Sequence, residues 1–303
     1  MTDSITQVGT EMRSYYGRPI LKEPVWQPEI PFYFFTGGIA GGCSVLHGLA
    51  RVARHERLAK TALYVGAAAD AVSPLLLISD LGRPERFLKM LRVFKVTSPM
   101  SVGSWILFIS GGASNAAATL ELLGILRPVK WLAEVASFVT GPPLTTYTGT
   151  LLADTAIPVW HEARHDLPWL FGASASSTAG AATALFLRPA EAGPARRLAV
   201  AGAVGELACM ELMQHRLGFV GEVYKKEAAG TLGRISKVCT AAGAALLASR
   251  ARRSRAALVG GSALLLAGGL TLRWSVFRAG FQSARDPRYT VVPQRRRLDA
   301  KGQ

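Results

Sequence analysis

Two acidic residues lie deep inside long apolar stretches of the sequence, where an ionisable side chain needs a chemical reason to be present. Asp70 lies near the middle of the apolar run 59–80, and Glu206 lies at a similar depth in the run 196–216. A carboxylate in an apolar medium is costly unless it is paired, hydrogen-bonded or wet. Each acid therefore fits either a proton-relay or ion site, or a polar contact that holds two helices together.

A second polar set follows a helix-breaking sequence in the apolar run 131–156. Gly-Pro-Pro at 141–143 disturbs the hydrogen bonds of a helix, and Tyr147 and Asp154 follow it seven residues apart. Seven residues are close to two helical turns, so the phenol and the carboxylate share one face. This face leads to a loop with His161 and fits proton exchange with a bound ligand. A kinked structural helix with an interfacial Tyr and Asp is the alternative.

The elements that position these residues are apolar segments of membrane-spanning length. The chain has 303 residues, of which 50% are hydrophobic and 18% charged. A run of about 20 apolar residues crosses a hydrocarbon core roughly 30 Å thick. About eight runs qualify, with approximate limits 31–53, 59–80, 101–123, 131–156, 168–187, 196–216, 231–249 and 256–277. We expect a surface segment at 1–30 without a cleaved leader, a transmembrane domain at 31–278 and a basic tail at 279–303.

The positive charge lies at the ends of these runs. A net charge of +15 would suggest nucleic acid as the partner of a soluble protein, but here it indicates a membrane surface rich in lipid phosphate. The connector after the second run has the spacing of a short amphipathic helix with Arg83, Arg86 and Lys89 on its polar side. Such cations suit the carboxylates of a protein partner or lipid headgroups.

Small residues and cysteines complete the pattern. The first run pairs Gly37 with Gly41 and Gly38 with Gly42 in GxxxG spacing, which favours close packing within the chain, with dimerisation as the alternative.

The three cysteines have no CxxC or Cys/His ligand spacing. We therefore expect no metal site, iron–sulfur cluster or haem in this chain.

Four short motifs carry a resemblance to a known family. They are DLGRPERF after the second run, SPMSVGSW opening the third, YTGTLL with PVW at the end of the fourth, and LPWLFGASASSTAG opening the fifth. In this order they resemble the polysulfide reductase membrane-subunit family of the NrfD/PsrC type. The resemblance implies an all-α integral membrane protein of about eight transmembrane helices, arranged as two four-helix bundles, in a prokaryotic cell membrane.

The resemblance also implies a function. Such a subunit exchanges electrons between menaquinone or menaquinol and a docked ferredoxin-like iron–sulfur subunit, which serves a molybdenum or tungsten catalytic subunit. Tyr147 matches the tyrosine that lies near the quinone in that family. The first run offers Tyr33 and Thr36 as further polar contacts.

The remaining candidate residues take roles from the chemistry of a quinone, which couples two electrons to two protons. Arg83 and His161 can donate to the ring carbonyls, and Asp154 can exchange protons. Asp70 and Glu206 are candidates for a relay across the membrane, and Arg86 and Lys89 for docking the iron–sulfur partner. A passive membrane anchor and a secondary transporter remain alternatives, although a transporter usually has inverted repeats and none is visible.

Overall fold

The computed structural model describes residues 20–80, 83, 85–249 and 254–301, and this part of the chain contains helices and no strand. The helices are α1 Glu29–Val52, α2 Glu56–Asp80, α3 Glu85–Met90, α4 Pro99–Leu123, α5 Arg127–Ala153, α6 Pro158–Glu162, α7 Leu167–Leu185, α8 Gly193–Leu217, α9 Glu227–Ser249, α10 Arg255–Arg285 and α11 Arg288–Lys301. A 3₁₀ helix, Val220–Lys225, connects α8 to α9.

Eight of these described helices are long, and each coincides with one of the predicted apolar runs. The long helices have between 19 and 31 residues. By length and composition, α2, α4 and α10 are apolar enough to cross a membrane. The described part of the chain is thus an all-helical bundle with three candidate membrane spans. α10 continues to Arg285, into the segment predicted as the C-terminal tail.

The long helices pack as two groups of four. In the first group, α1 contacts α2 and α5, and α4 contacts α2 and α5, which closes a ring. In the second group, α8 contacts α7 and α9, and α10 contacts α7 and α9. α1 and α5 both pack on α7 and join the two groups. This arrangement agrees with the predicted pair of four-helix bundles.

Small residues of α1 allow this junction to be tight. A Cβ atom added at Gly41 would lie 2.6 Å from the carbonyl oxygen of Gly141 on α5. A Cβ atom at Gly42 would lie 2.6 Å from the Cβ of Ala179 on α7. Real side-chain atoms do not approach so closely, so glycine is required at both positions. The GxxxG residues of α1 are used for packing within the chain, as predicted.

Candidate functional site

Helices α1 to α5 enclose a cavity of about 270 Å³ at the end of the bundle where the chain enters α1. Its lining residues are Trp26, Ile30, Tyr33, Phe34, Leu77, Asp80, Met90, Met100, Ser104, Tyr147 and Leu151. The walls are mostly apolar, and two phenols, one carboxylate and one hydroxyl interrupt them. Two of the residues predicted for a ligand site, Tyr33 and Tyr147, therefore share one cavity.

Tyr147 reaches the cavity because α4 begins with a sequence that leaves room for its ring. The side chain of Ser98 caps α4 by accepting a hydrogen bond from the backbone N–H of Ser101, and Pro99 follows at the first helical position. One turn further on, a Cβ atom at Gly103 would lie 2.3 Å from Cε2 of Tyr147. The SPMSVG sequence thus fixes the start of α4 and gives the Tyr147 ring its space.

Tyr33 lies on the first turns of α1 and is 2% exposed. The segment before α1 forms the cavity wall beside it through Trp26, whose ring stacks on Trp160 with the ring centroids 5.5 Å apart. Trp160 is fully buried, and its indole N–H donates to the carbonyl oxygen of Val276 at 2.8 Å. The tryptophan of the PVW motif therefore holds this wall against α10.

Two polar contacts hold the segment before α1 in place. The guanidinium of Arg285, at the end of α10, donates to both carboxylate oxygens of Glu23 at 2.9 and 3.0 Å. These hydrogen bonds, together with the positive charge, hold the pKa of Glu23 below its ordinary value. The backbone N–H of Gln27 donates to Oδ1 of Asp80 at 2.9 Å. Trp26 is fixed between these two contacts.

Asp80 is a cavity residue that the sequence analysis missed. It is the last residue of α2, so its half-buried carboxylate lies where that helix ends at the cavity. The signal was present in the sequence, because Asp80 begins the DLGRPERF motif. Only the cations of that motif were given a role.

The other candidate residues for the ligand site and for partner docking that the structure describes do not line the cavity. Asp154 is the exposed C-terminal cap of α5, and His161 is exposed on α6. Arg83 and Lys89 are exposed in the connector between α2 and α4. The side chain of Arg86 lies outside the described residues. The roles given to these five residues stay predictions.

Asp70 is completely buried between α2 and α4, where two serines stabilise it. Its Oδ2 accepts hydrogen bonds from Ser114 Oγ at 2.6 Å and from Ser110 Oγ at 3.3 Å. Oδ1 has no hydrogen-bond partner among the described residues. The Tyr33 phenol is within electrostatic range of this carboxylate. Asp70 therefore lies close to the cavity without lining it.

Glu206 belongs to the other bundle. Its Oε1 accepts a hydrogen bond from Thr240 Oγ1 at 2.8 Å, and it interacts through its charge with Arg273. Arg273 is buried, donates from Nη2 to the carbonyl oxygen of Phe171 at 3.1 Å, and lies 3.9 Å over the centre of the Phe171 ring. The sequence analysis missed this arginine, although it interrupts the last apolar run. Glu206 and Asp70 thus have separate partners in separate bundles.

His47, near the end of α1, is buried at the opposite end of the bundle from the cavity. Its Nδ1 lies 2.9 Å from the carbonyl oxygen of Ala59, and its Nε2 lies 3.5 Å from a carboxylate oxygen of Glu134. The tight turn between α1 and α2 brings Ala59 against the histidine ring.

The sequence matches the family described as "NrfD: Polysulphide reductase, NrfD" over residues 20–284. This chain belongs to the NrfD family. A search of curated proteins gives no match. The matched residues begin before α1 and extend almost to the end of α10, so they include the whole cavity. Membership implies a membrane subunit of a polysulfide reductase-like oxidoreductase complex, in agreement with the apolar helices.

Ligands for a metal do not come together in the part of this NrfD protein that the structure describes. No group of three or more His, Cys, Asp or Glu residues there can hold a metal ion. Cys43, Cys209 and Cys239 are free, each on a different helix.

The contact between Trp160 and α10 makes a testable prediction. A Cβ atom at Gly280 would lie 2.0 Å from the Trp160 ring, so Gly280→Ala must displace the indole from Val276 and from Trp26. We expect a loss of stability of about 1–3 kcal/mol, as for other overpacked cores, and a shifted tryptophan emission. Thermal unfolding and fluorescence of the purified protein measure both.

Gly260→Ala, on the same helix, is the matched control, because a Cβ atom there meets nothing within 4 Å. Equal stability and equal emission in both variants would contradict the role given to Trp160.

Proposed function

We propose that this protein exchanges electrons between menaquinone or menaquinol in a prokaryotic cell membrane and a ferredoxin-like iron–sulfur subunit, which serves a molybdenum or tungsten catalytic subunit. The observation that carries the proposal is the cavity shared by Tyr33, Asp80 and Tyr147. In this proposal all eight long helices cross the membrane, including the five that are less apolar than α2, α4 and α10. NrfD-family membership supports the class of complex.

The cavity fits the head group of a quinone. A quinone ring is flat and apolar along its faces and has a carbonyl oxygen at each of two opposite edges. The cavity has apolar walls with two phenols among them, and its volume of about 270 Å³ is near the lower limit of typical ligand pockets, about 300 Å³. The isoprenoid tail would remain in the lipid. When bound, the quinone supplies reversible two-electron, two-proton chemistry.

The residues of this chain bind, orient and exchange protons. The Tyr147 hydroxyl donates a hydrogen bond to one ring carbonyl, and Gly103 keeps its ring in position. Tyr33 offers the second hydroxyl from α1. Asp80, at the end of α2, accepts or returns a proton within the cavity. Asp154, which is exposed just beyond α5, exchanges it with water.

The connector between α2 and α4 gives this end of the bundle a cationic surface for the partner. Lys89 is exposed on α3, beside the cavity residue Met90. We assign Lys89 and Arg86 to docking the iron–sulfur subunit, and Arg83 and His161 to the rim of the entrance. Docking here places the partner at the same end of the bundle as the bound quinone, which shortens the path of the electrons.

Proton translocation is the second part of the proposal. Between the cavity and Asp70, Thr36 Oγ1 and Ser73 Oγ lie 2.8 Å apart, and Ser73 donates to the carbonyl oxygen of Ala69. The two hydroxyls thus connect α1 to the turn of α2 that contains Ala69 and Asp70. Asp70 accepts and releases a proton on this route, and Glu206 provides a buried carboxylate in the second bundle.

The first prediction from this proposal concerns Tyr147. Tyr147→Phe keeps the ring and removes one hydrogen bond, with a net worth of about 1 kcal/mol, so the affinity for a naphthoquinone should fall roughly fivefold. Quenching of the intrinsic tryptophan fluorescence by a short-chain naphthoquinone measures this affinity, because Trp26 lines the cavity.

Tyr224→Phe is the control, since Tyr224 is equally buried but lies in the 3₁₀ helix away from the cavity. If both variants bind the naphthoquinone like the parent, Tyr147 is not a ligand. If the parent does not bind it at all, the protein is a passive anchor.

The second prediction concerns Asp70. Asp70→Asn keeps the shape of the side chain and removes its titratable proton. The intact complex with this variant should bind naphthoquinone like the parent but lose proton movement in sealed vesicles. A pH-sensitive dye inside the vesicles measures the movement during turnover.

Glu211→Gln controls for the loss of an exposed carboxylate on α8, which pairs with Lys237. Proton movement at the parental rate in Asp70→Asn vesicles would rule out the relay and leave Asp70 as a contact between α2 and α4.

A further inference from the structure

A second and larger groove lies at the opposite end of the bundle, between the end of α1 and the first half of α5. It has a volume of about 650 Å³. Its lining residues are His47, Gly48, Arg51, Val52, Arg54, Glu56, Trp131, Glu134, Val135 and Phe138. The function proposed above uses none of them. The groove has a charged end at the turn between α1 and α2 and an apolar end deeper along α5.

Two arginines at the charged end have donors that the protein leaves free. Arg51 Nη1 lies 3.6 Å from Glu56 Oε1, and Arg51 Nε lies 3.7 Å from Glu134 Oε2. Both distances are longer than those of hydrogen bonds with good geometry. Arg54 is exposed in the turn, which holds it at a positive φ of 57°, and it has no ionic partner among the described residues. Both guanidinium groups can therefore bind the oxygens of an added anion.

Both acids of the groove already have basic neighbours. The carboxylate of Glu134 is buried and has three basic neighbours. Its oxygens lie 3.5 Å from His47 Nε2, 3.7 Å from Arg51 Nε and 3.8 Å from Lys130 Nζ. Glu56 already faces Arg51. Arg54 has no ion-pair partner among the described residues, so its exposed guanidinium is the part of the rim that can take up one negative charge.

The apolar end of the groove is open to the surroundings of the bundle. Trp131 is 59% exposed, Val135 40% and Phe138 37%. The Phe138 ring lies over Gly48, where a Cβ atom would meet it at 2.3 Å, so α1 leaves a furrow beside it. Phe138 lies seven residues, or about 10 Å, deeper along the helix than Trp131. The groove thus runs from Trp131, near the start of α5, toward the middle of that helix.

We propose that this groove binds one anionic phospholipid, with the phosphate on Arg51 and Arg54 and an acyl chain along Val135 and Phe138. Guanidinium groups bind phosphate oxygens through paired N–H donors, and basic pockets between membrane helices hold anionic headgroups. A tryptophan at this depth is typical of the membrane interface. The proposal requires α1 and α5 to cross the membrane, but it does not depend on quinone binding at the other end.

Quenching of Trp131 by brominated lipids tests the proposal directly. The full chain is reconstituted in vesicles of phosphatidylcholine with increasing amounts of brominated phosphatidylglycerol, or of brominated phosphatidylcholine. The signal of Trp131 is the difference between the parent and Trp131→Phe. We expect brominated phosphatidylglycerol to reach half-maximal quenching at a lipid fraction at least fivefold lower than brominated phosphatidylcholine does. The reason is that each basic group contributes to binding of an anionic headgroup.

Arg51→Gln with Arg54→Gln should abolish this preference for the anionic lipid. Arg57→Gln should keep it, because Arg57 lies at the same end of the bundle but pairs with Glu191 outside the groove. The comparison of the two lipids needs only the parent and Trp131→Phe, so the test does not depend on the folding of the double variant.

Two results would overturn the proposal. One is equal quenching of Trp131 by the two lipids in the parent. The other is displacement of the anionic lipid by millimolar glycerol 3-phosphate, because the groove would then recognise a free phosphate and the apolar half would have no role.

Discussion

The close approach of α1 to α5 is the contact on which the rest of this structure depends. Gly41 and Gly141 face each other so closely that a Cβ atom on either one would clash with the carbonyl oxygen of the other. The two helices run in opposite directions, with Tyr33 eight residues before Gly41 and Tyr147 six residues after Gly141. At 1.5 Å per residue, both tyrosines lie about 9–12 Å toward the same end of the bundle. The glycine contact therefore brings the two phenols of the cavity together.

The hydrogen-bond partners of the two deep acids reflect the free-energy cost of burying a charge among apolar helices. Each deep acid accepts a hydrogen bond from a hydroxyl on a neighbouring helix, Asp70 from Ser114 and Glu206 from Thr240. Such short hydroxyl side chains add little bulk and let the helices stay close. Asp70 also keeps one oxygen, Oδ1, with no hydrogen-bond partner among the described residues.

The sequence predicted the helices well and the site only in part, for a physical reason. Apolar length and glycine spacing depend on local sequence, so the eight long helices and the packing of Gly41 within the chain could be predicted. Tyr147 could be proposed as a ligand residue because it follows a proline pair and begins the YTGTLL motif. Asp80 and Arg273 were missed because their importance depends on which helices become neighbours, and periodicity does not contain that information.

The central claim is that a quinone binds between Tyr33, Asp80 and Tyr147, and photoaffinity labelling tests it most directly. An azido-naphthoquinone is bound to the intact complex in membranes and activated by light, and the labelled peptides are identified by mass spectrometry. The account predicts labels on the cavity segments 26–34, 77–80, 100–104 and 147–151, reduced by excess menaquinone. Labelling confined to the opposite groove around Trp131, or labelling that menaquinone does not reduce, would contradict it.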